Sequence, residues 1–311
     1  MIITVTMNPA IDKTIDIGAL EQGGLNRIQH VEYDVGGKGI NVSKTIRELG
    51  GTSIATGFLA GNGGRTIENV LNSQEIENDF VWVEGETRTN TKVVEKNGTV
   101  TELNEPGPLI TEAQMNQLME KLMGYAKEDT LVVLAGSVPA SVNRDIYKIM
   151  IEKLHEAGAK VLLDADGDLF VNALKAGPDI IKPNKVELEE YAGVGRNTPL
   201  KQIVGIAKNL LNKGVATVAV SLGSEGALLI RKDGQVKAPG LKVKAHSTVG
   251  AGDAFVAALA YSWDKGLDFT EMMKTCMATS AGAVTTIGTK PPTKEVIEAL
   301  KKEVKMEEIG E

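Results

Sequence analysis

The sequence has one cysteine, Cys276, three histidines, and aromatic residues at only 4% of its 311 positions. A lone thiol excludes an intrachain disulfide and a cysteine-rich metal site, and the Met-rich, helix-patterned surroundings of Cys276 point to a buried thiol. His30, His155 and His246 have no partner at ligand spacing, so a histidine-based zinc site is not expected. No apolar run approaches the roughly 20 residues of a spanning helix; runs such as 131–135 have the length of a core strand. The first residues, Met1 to Val5, lack a basic lead, a long apolar stretch and a small-residue cleavage site. They read as a first strand and not as a signal peptide, so the expected location is cytoplasmic. Basic residues are outnumbered, 34 against 41 acidic, and are spread through a chain of formal charge −7. That leaves no cationic footprint, so neither nucleic acid nor a membrane is an expected partner.

What the chain does contain is ordinary globular material, 42% hydrophobic and 24% charged, expected to fold as one domain over 1–311. A strand is predicted at 130–135, a helix at 143–157 capped by Asn143 and closed by Gly158, and strands at 160–164 and 179–182. Thr198 and Pro199 open a further helix that Gly214 ends, before a buried strand at 215–221. Nearly all-apolar strands separated by helices predict an α/β fold, doubly wound, with a mostly parallel central sheet and helices on both faces. Two stretches depart from this rhythm. Residues 91–95 and 99–103 alternate in polarity around Asn97–Gly98, the signature of a two-residue hairpin turn, and 12–35 is extended and punctuated by glycine. They predict a small antiparallel β lid, inserted at about 12–35 and 86–105, with one face over a site and the other able to form a homodimer. The Lys- and Glu-rich end, 294–311, reads as a solvated terminal helix and tail.

Four clusters could carry chemistry. In 247–255, the run Gly250, Ala251, Gly252, Asp253 opens a helical pattern. Small residues allow close approach of a ligand to the backbone, and the amides of a first helical turn form an anion site; an ordinary capping aspartate would look the same. The run matches neither a dinucleotide fingerprint nor a P-loop. In 36–43, three glycines surround Lys38 ahead of Asn41, which suits an oxygen-rich or phosphorylated ligand, though a glycine turn with an exposed lysine is the simpler account. Asp12 lies just past the first strand, where α/β sheets bind ligands. In 181–187, Asn184 and Glu187 lie three apart after Lys182 and could hold Mg²⁺ through water, or could simply form a capping box. In 221–226, Ser221, Gly223 and Gly226 could bring amides to a nucleotide or form a hairpin connection. Arg27, Lys38 and Arg88 are cations in or beside the lid that a phosphorylated substrate would use.

Taken together these clusters resemble the ribokinase-like (PfkB) family of carbohydrate kinases over nearly the whole chain. Residues 247–260 match its C-terminal signature around Gly-Ala-Gly-Asp, and 36–43 its N-terminal glycine-rich signature. Thr4, Thr6, Asn8, Pro9 and Asp12, the 37–42 run, Thr87–Arg88, Thr101–Glu102 and the segment from Leu134 through Gly136, Ser137 and Pro139 resemble the sugar-phosphate branch. That branch includes 1-phosphofructokinases and tagatose-6-phosphate kinases. Residues 247–249 and 87–90 look more like 1-phosphofructokinases than tagatose-6-phosphate kinases, and the resemblance implies fructose 1-phosphate as acceptor, with tagatose 6-phosphate or fructose 6-phosphate as alternatives. The resemblance implies that Asp253 is the base and that the amides of Gly250, Ala251 and Gly252 form the anion hole. It implies that Asp12, Gly37, Asn41 and Ser137 hold sugar hydroxyls, and that Lys38 and Arg88 hold the resident phosphate. ATP would lie on Lys182, Asn184, Ser221, Gly223 and Gly226, with Thr279 to Gly282 near the base and Mg²⁺ organised by Asn184 and Glu187. A catalytically silent sugar-phosphate sensor on the same fold is the rival, against which Asp253 argues, because a sensor needs no base.

Overall fold

The structure is a computed structural model that describes residues 1–307 and Ile309. Its elements begin with β1 (Ile2–Thr6), β2 (Ala10–Ile17), β3 (His30–Gly36), α1 (Lys38–Glu48), β4 (Ile54–Ala60) and α2 (Gly61–Ser73). Next come β5 (Glu77–Asn78), β6 (Val81–Val83), β7 (Arg88–Glu95), β8 (Val100–Asn104), α3 (Glu112–Tyr125) and β9 (Leu131–Ala135). They are followed by α4 (Ile146–Glu156), β10 (Lys160–Asp164), α5 (Gly167–Ala173), β11 (Ile180–Ile181), α6 (Lys185–Ala192) and α7 (Leu200–Asn212). The chain ends with β12 (Thr217–Ser221), β13 (Ala227–Arg231), β14 (Gly234–Ala238), α8 (Ala251–Asp264), α9 (Phe269–Val284) and α10 (Lys294–Lys301).

The apolar runs form the main sheet, in the order β14-β13-β12-β11-β10-β9-β1-β4-β5, with β6 also paired to β4. From β12 to β5 every pairing is parallel, and β13 and β14 add an antiparallel edge. Alternation explains why both faces are covered. Along β9, Val132 and Leu134 enter one core with Tyr147 and Met150 of α4, while Leu131, Val133 and Ala135 enter the other with α8 and α9. A strand buried on both sides must be apolar at every position, as these are. The strand β1 lies between β4 and β9, so the chain turns to opposite sides at its carboxyl end and opens a crevice there.

A second sheet, β3-β2-β7-β8, stands apart from the first. Its two outer pairings are antiparallel, as expected, and the central β2–β7 pairing is parallel. That direction follows from the main sheet: β2 leaves the end of β1, and β7 follows β6, which runs parallel to β4 beside β1. The turn at Asn97–Gly98 holds three residues, not two. Glu95 N–H donates to Thr99 O at 2.9 Å, and Gly98 alone of the pair has positive φ, 86°. Asn97 uses its side chain to accept Thr99 N–H, which fixes the bulged three-residue form.

Three other expectations shift. The helix predicted from Asn143 starts at Ile146, because the Asn143 side chain closes a turn on Asp145 N–H at 2.8 Å. Pro199 precedes the first turn of α7 rather than occupying it. The tail is not simply solvated. After α10, Val304 is buried against the α8–α9 core and Glu307 exchanges backbone hydrogen bonds with Lys237 of β14, covering the sheet edge. Of the predicted tail 294–311, residues 308, 310 and 311 lie outside the described residues. Among the described residues no helix is long and apolar enough to cross a membrane.

Candidate active site

The predicted clusters converge at the carboxyl ends of the parallel strands, around the N-terminus of α8. Gly250 sits there in the left-handed conformation, φ 84°, and turns the chain so that the first-turn amides of α8 face outward. Asp253, in that turn, is 9% exposed and accepts a 2.8 Å hydrogen bond from Asn41 Nδ2 of α1. Burial, and next the charge of Asp164, push its pKa up to about 6, against the pull of Lys38, Asn41 and Lys182. Asn41 is in reach because Gly37, φ 116°, lets α1 start against β1; a methyl there would lie 2.6 Å from Thr6 Cγ2.

Beneath Asp253 is a carboxylate that sequence reasoning missed. Asp164, at the end of β10, is 2% exposed and lies 3.2 Å from both Lys38 Nζ and Lys182 Nζ. Burial alone would raise its pKa; the two ammonium groups outweigh burial and hold it below the usual carboxylate range. Reciprocally, burial would pull Lys38 down, but Asp164 and then Asp253 hold it above the ordinary lysine range. Lys182 reaches the same place from beyond β11, and a methyl on Gly252 would lie 3.7 Å from its Nζ. Two cations are thus fixed under the α8 amides. Lys38, expected at the resident phosphate of a substrate, lines the polar cavity above and pairs with Asp164 at its floor.

Above this floor is a cavity of about 480 Å³ whose walls include Asp12, Gly37, Lys38, Asn41, Arg88, Ser137 and Asp253, as the sequence led one to expect. It also includes Asn90 and Glu102, which carried the resemblance but were given no role, and Lys92, Asn104 and Asp166, which sequence reasoning did not select. The strand period carries the signal for two of them: Arg88, Asn90 and Lys92 alternate along β7 and share one face. Five buried side-chain polar atoms without partners, on Thr6, Asn8, Asn41, Arg88 and Asn90, belong to this cavity, of eight among the described residues. Buried polar groups are normally satisfied, so a cluster of orphans marks the place of a polar ligand. Asp12 accepts from Asn90 Nδ2 at 3.2 Å, and its pKa is raised by burial against the opposing charge of Lys92. Burial lowers the pKa of Arg88. Arg27 is exposed and lines none of this.

On the other side of the α8 N-terminus lies a second cavity, of about 430 Å³, bordered by Asn184, Ser221, Gly223, Gly226 and Gly252, with Phe255 and Met277 as apolar walls. Thr279 and Gly282 do not line it. Thr279 faces the core and bonds back to Thr275 O at 2.7 Å, and Gly282 packs against Pro292; Ser280, Ala281 and Val284 face the cavity instead. The capping-box reading of Asn184 and Glu187 is the one observed. Glu187 N–H donates to Asn184 Oδ1 at 2.8 Å, and Glu187 accepts from Asn184 N–H and Nδ2 at 2.9 and 2.7 Å. Each Glu187 oxygen keeps a lone pair, so the pair suits a metal held through water. No cluster of three or more His, Cys, Asp or Glu among the described residues could cage an ion unaided.

A polar cavity and a partly apolar one, meeting at helix amides with one buried and one half-buried cation and a carboxylate of raised pKa, define a phosphotransferase. Residues 5–296 match the pfkB family carbohydrate kinase, and the chain belongs to that family. It is a sugar kinase, with an alcohol as acceptor and with ATP and a divalent metal as the family's requirements. It is 35% identical over 284 residues to the 1-phosphofructokinase of Haemophilus influenzae, covering 91% of this chain and 90% of that one. It is 34% identical over 306 residues to the 1-phosphofructokinase of Bacillus subtilis, covering 98% and 99%. The structure of phosphofructokinase-2 from Escherichia coli in complex with substrates and products superimposes with a TM-score of 0.91 at 26% identity, covering 97% and 98%.

Proposed function

We propose that the chain transfers the γ-phosphoryl group of Mg²⁺-bound ATP to the free primary hydroxyl of fructose 1-phosphate, giving fructose 1,6-bisphosphate. The single observation that carries this reading is that the two cavities flank the first turn of α8, whose Asp253 is a buried carboxylate facing the polar one beside a group of unpartnered polar atoms. The substrate assignment draws on the 1-phosphofructokinase relatives.

Asp253 takes the proton of the acceptor hydroxyl, and its raised pKa makes it a more effective proton acceptor than an ordinary aspartate. The amides of Gly250, Ala251 and Gly252, with Lys38 and Lys182, receive the charge of the transferring phosphoryl group. Such transfer depends on in-line positioning and fixed positive charge more than on covalent catalysis. Asp12, Asn41, Ser137 and the Gly37 backbone hold sugar hydroxyls, while Arg88 and Lys92 receive the phosphate already present. Ser221, Gly223 and Gly226 border the nucleotide, and Asn184 with Glu187 would hold Mg²⁺ through water. Bound there, the ion would neutralise phosphate charge.

The chain forms one domain in which the small sheet acts as a lid that excludes water and suppresses ATP hydrolysis. Its outer face carries exposed Val31, Tyr33 and Leu103, which supports a homodimer formed through the lid in the cytoplasm. The test is ADP release with Mg-ATP against fructose 1-phosphate, tagatose 6-phosphate, fructose 6-phosphate and ribose, ranked by kcat/KM. Fructose 1-phosphate should rank first. A higher rank for another phosphorylated sugar would move the substrate, and no release with any sugar would remove the reading.

A further inference from the structure

A carboxylate outside this machinery is placed to hold it together. Asp34 lies on β3 directly opposite Asp12 of β2. Like charges facing each other across a strand pair are unfavourable, so a second carboxylate here calls for a reason. Its contacts supply one. Asp34 Oδ1 receives Lys44 Nζ at 3.1 Å, and Lys44, only 3% exposed, also donates to Val35 O at 3.1 Å. Asp34 Oδ2 receives Thr289 Oγ1 at 2.9 Å.

Each partner leads to the reaction centre. Lys44 is on α1, the helix whose Asn41 holds Asp253 at 2.8 Å. Thr289 follows α9, and its Cα would lie 3.4 Å from a methyl on Gly250, the residue that turns the chain into α8. A second contact, Lys290 Nζ to Glu32 Oε1 at 2.8 Å, ties the same loop to the same strand, but between exposed groups where it is worth little. The Asp34 link is the stronger one, because Lys44 is buried and Asp34 only one-fifth exposed, and a charge-assisted bond partly shielded from water is screened less.

We infer that Asp34 is a positioning residue that locks the small sheet to both the Asn41–Asp253 helix and the loop backing Gly250, so that the sugar site and the anion hole are set together. The inference rests on the lid and anion-hole reading above. Turnover by the wild-type chain tests that reading, and only comparison of variants with wild type tests Asp34.

The experiment uses the full chain, T289V, T289S and D34N, with the sugar phosphate of highest kcat/KM and with sugar omitted. T289V replaces the hydroxyl by a methyl of similar size, so the link is lost with little change in shape. Both T289V and D34N should raise the KM for sugar phosphate roughly tenfold, the factor expected for one charge-assisted hydrogen bond. They should also release more than one ADP per sugar phosphorylated, because a loosened lid admits water, and T289S should restore both values. A merely structural role would lower the Tm and the active fraction and leave both ratios untouched. A folded T289V with wild-type KM and one ADP per sugar would overturn the inference, whether or not D34N folds.

Discussion

Replacing Asp253 by asparagine should make the protein more stable and nearly inactive. The carboxyl is held at about 6 instead of its ordinary 3.8, chiefly because it is buried, so at neutral pH the folded state carries a charge that it disfavours. At about 1.36 kcal/mol per unit this amounts to roughly 3 kcal/mol. Asparagine keeps an oxygen for Asn41 Nδ2 and removes the charge. A carboxyl whose pKa is raised on folding gives up stability as pH rises from about 4 to about 6, so the advantage of D253N should be full above pH 6 and vanish near pH 4. In thermal melts it should appear as a gain of a few degrees in Tm at pH 7.5, given the size of the chain. Meanwhile kcat should fall by about 10² to 10⁴, the usual contribution of a positioned base. A D253N protein with lower Tm at pH 7.5, or a difference that does not close in acid, would refute the assignment of a strained charge. Near-normal kcat would remove Asp253 from the base role.

The kcat/KM of the wild-type chain should fall on the acid side with an apparent pKa near 6, and D164N should move that limb downward, since the Asp164 charge contributes to raising Asp253; a pH profile reads both. Lys92→Met should raise the KM for the phosphorylated sugar roughly tenfold with kcat nearly unchanged, because it removes uniform binding. A fall in kcat with KM intact would place Lys92 elsewhere. Ala281→Trp should fill the second cavity and raise the KM for ATP at least tenfold without changing the KM for sugar; steady-state kinetics with each substrate varied would reveal an unwanted effect on the sugar.

Much of this site could be read from sequence because its parts are local. Gly250 to Asp253 and Gly37 to Asn41 sit at helix starts, where the topology of a doubly wound sheet brings such ends together; Asp12, expected just past the first strand, lies within β2, which leaves the end of β1 and carries it to the same place. Asp164 obeys the same rule, yet its role depends on lysines from two other segments, and no local pattern announces a three-body contact. The same holds for Asp34, whose partners lie on α1 and after α9. For Thr279 to Gly282 the resemblance gave the segment and not its facing residues: the observed rotation of α9 turns Ser280 and Ala281 to the cavity and Thr279 and Gly282 away from it. The tail misled because its charges dominate its composition, while a few apolar residues, Val304 and Met306 among them, and the Glu307–Lys237 bridge are enough to anchor it.

Direct observation of the product tests the central claim most simply. With fructose 1-phosphate and Mg-ATP, phosphorus NMR should show the ATP γ-signal replaced by ADP and a second sugar phosphomonoester, one for each ATP consumed, identifiable as fructose 1,6-bisphosphate. Inorganic phosphate in place of the second ester, or no change with folded protein, would contradict the account.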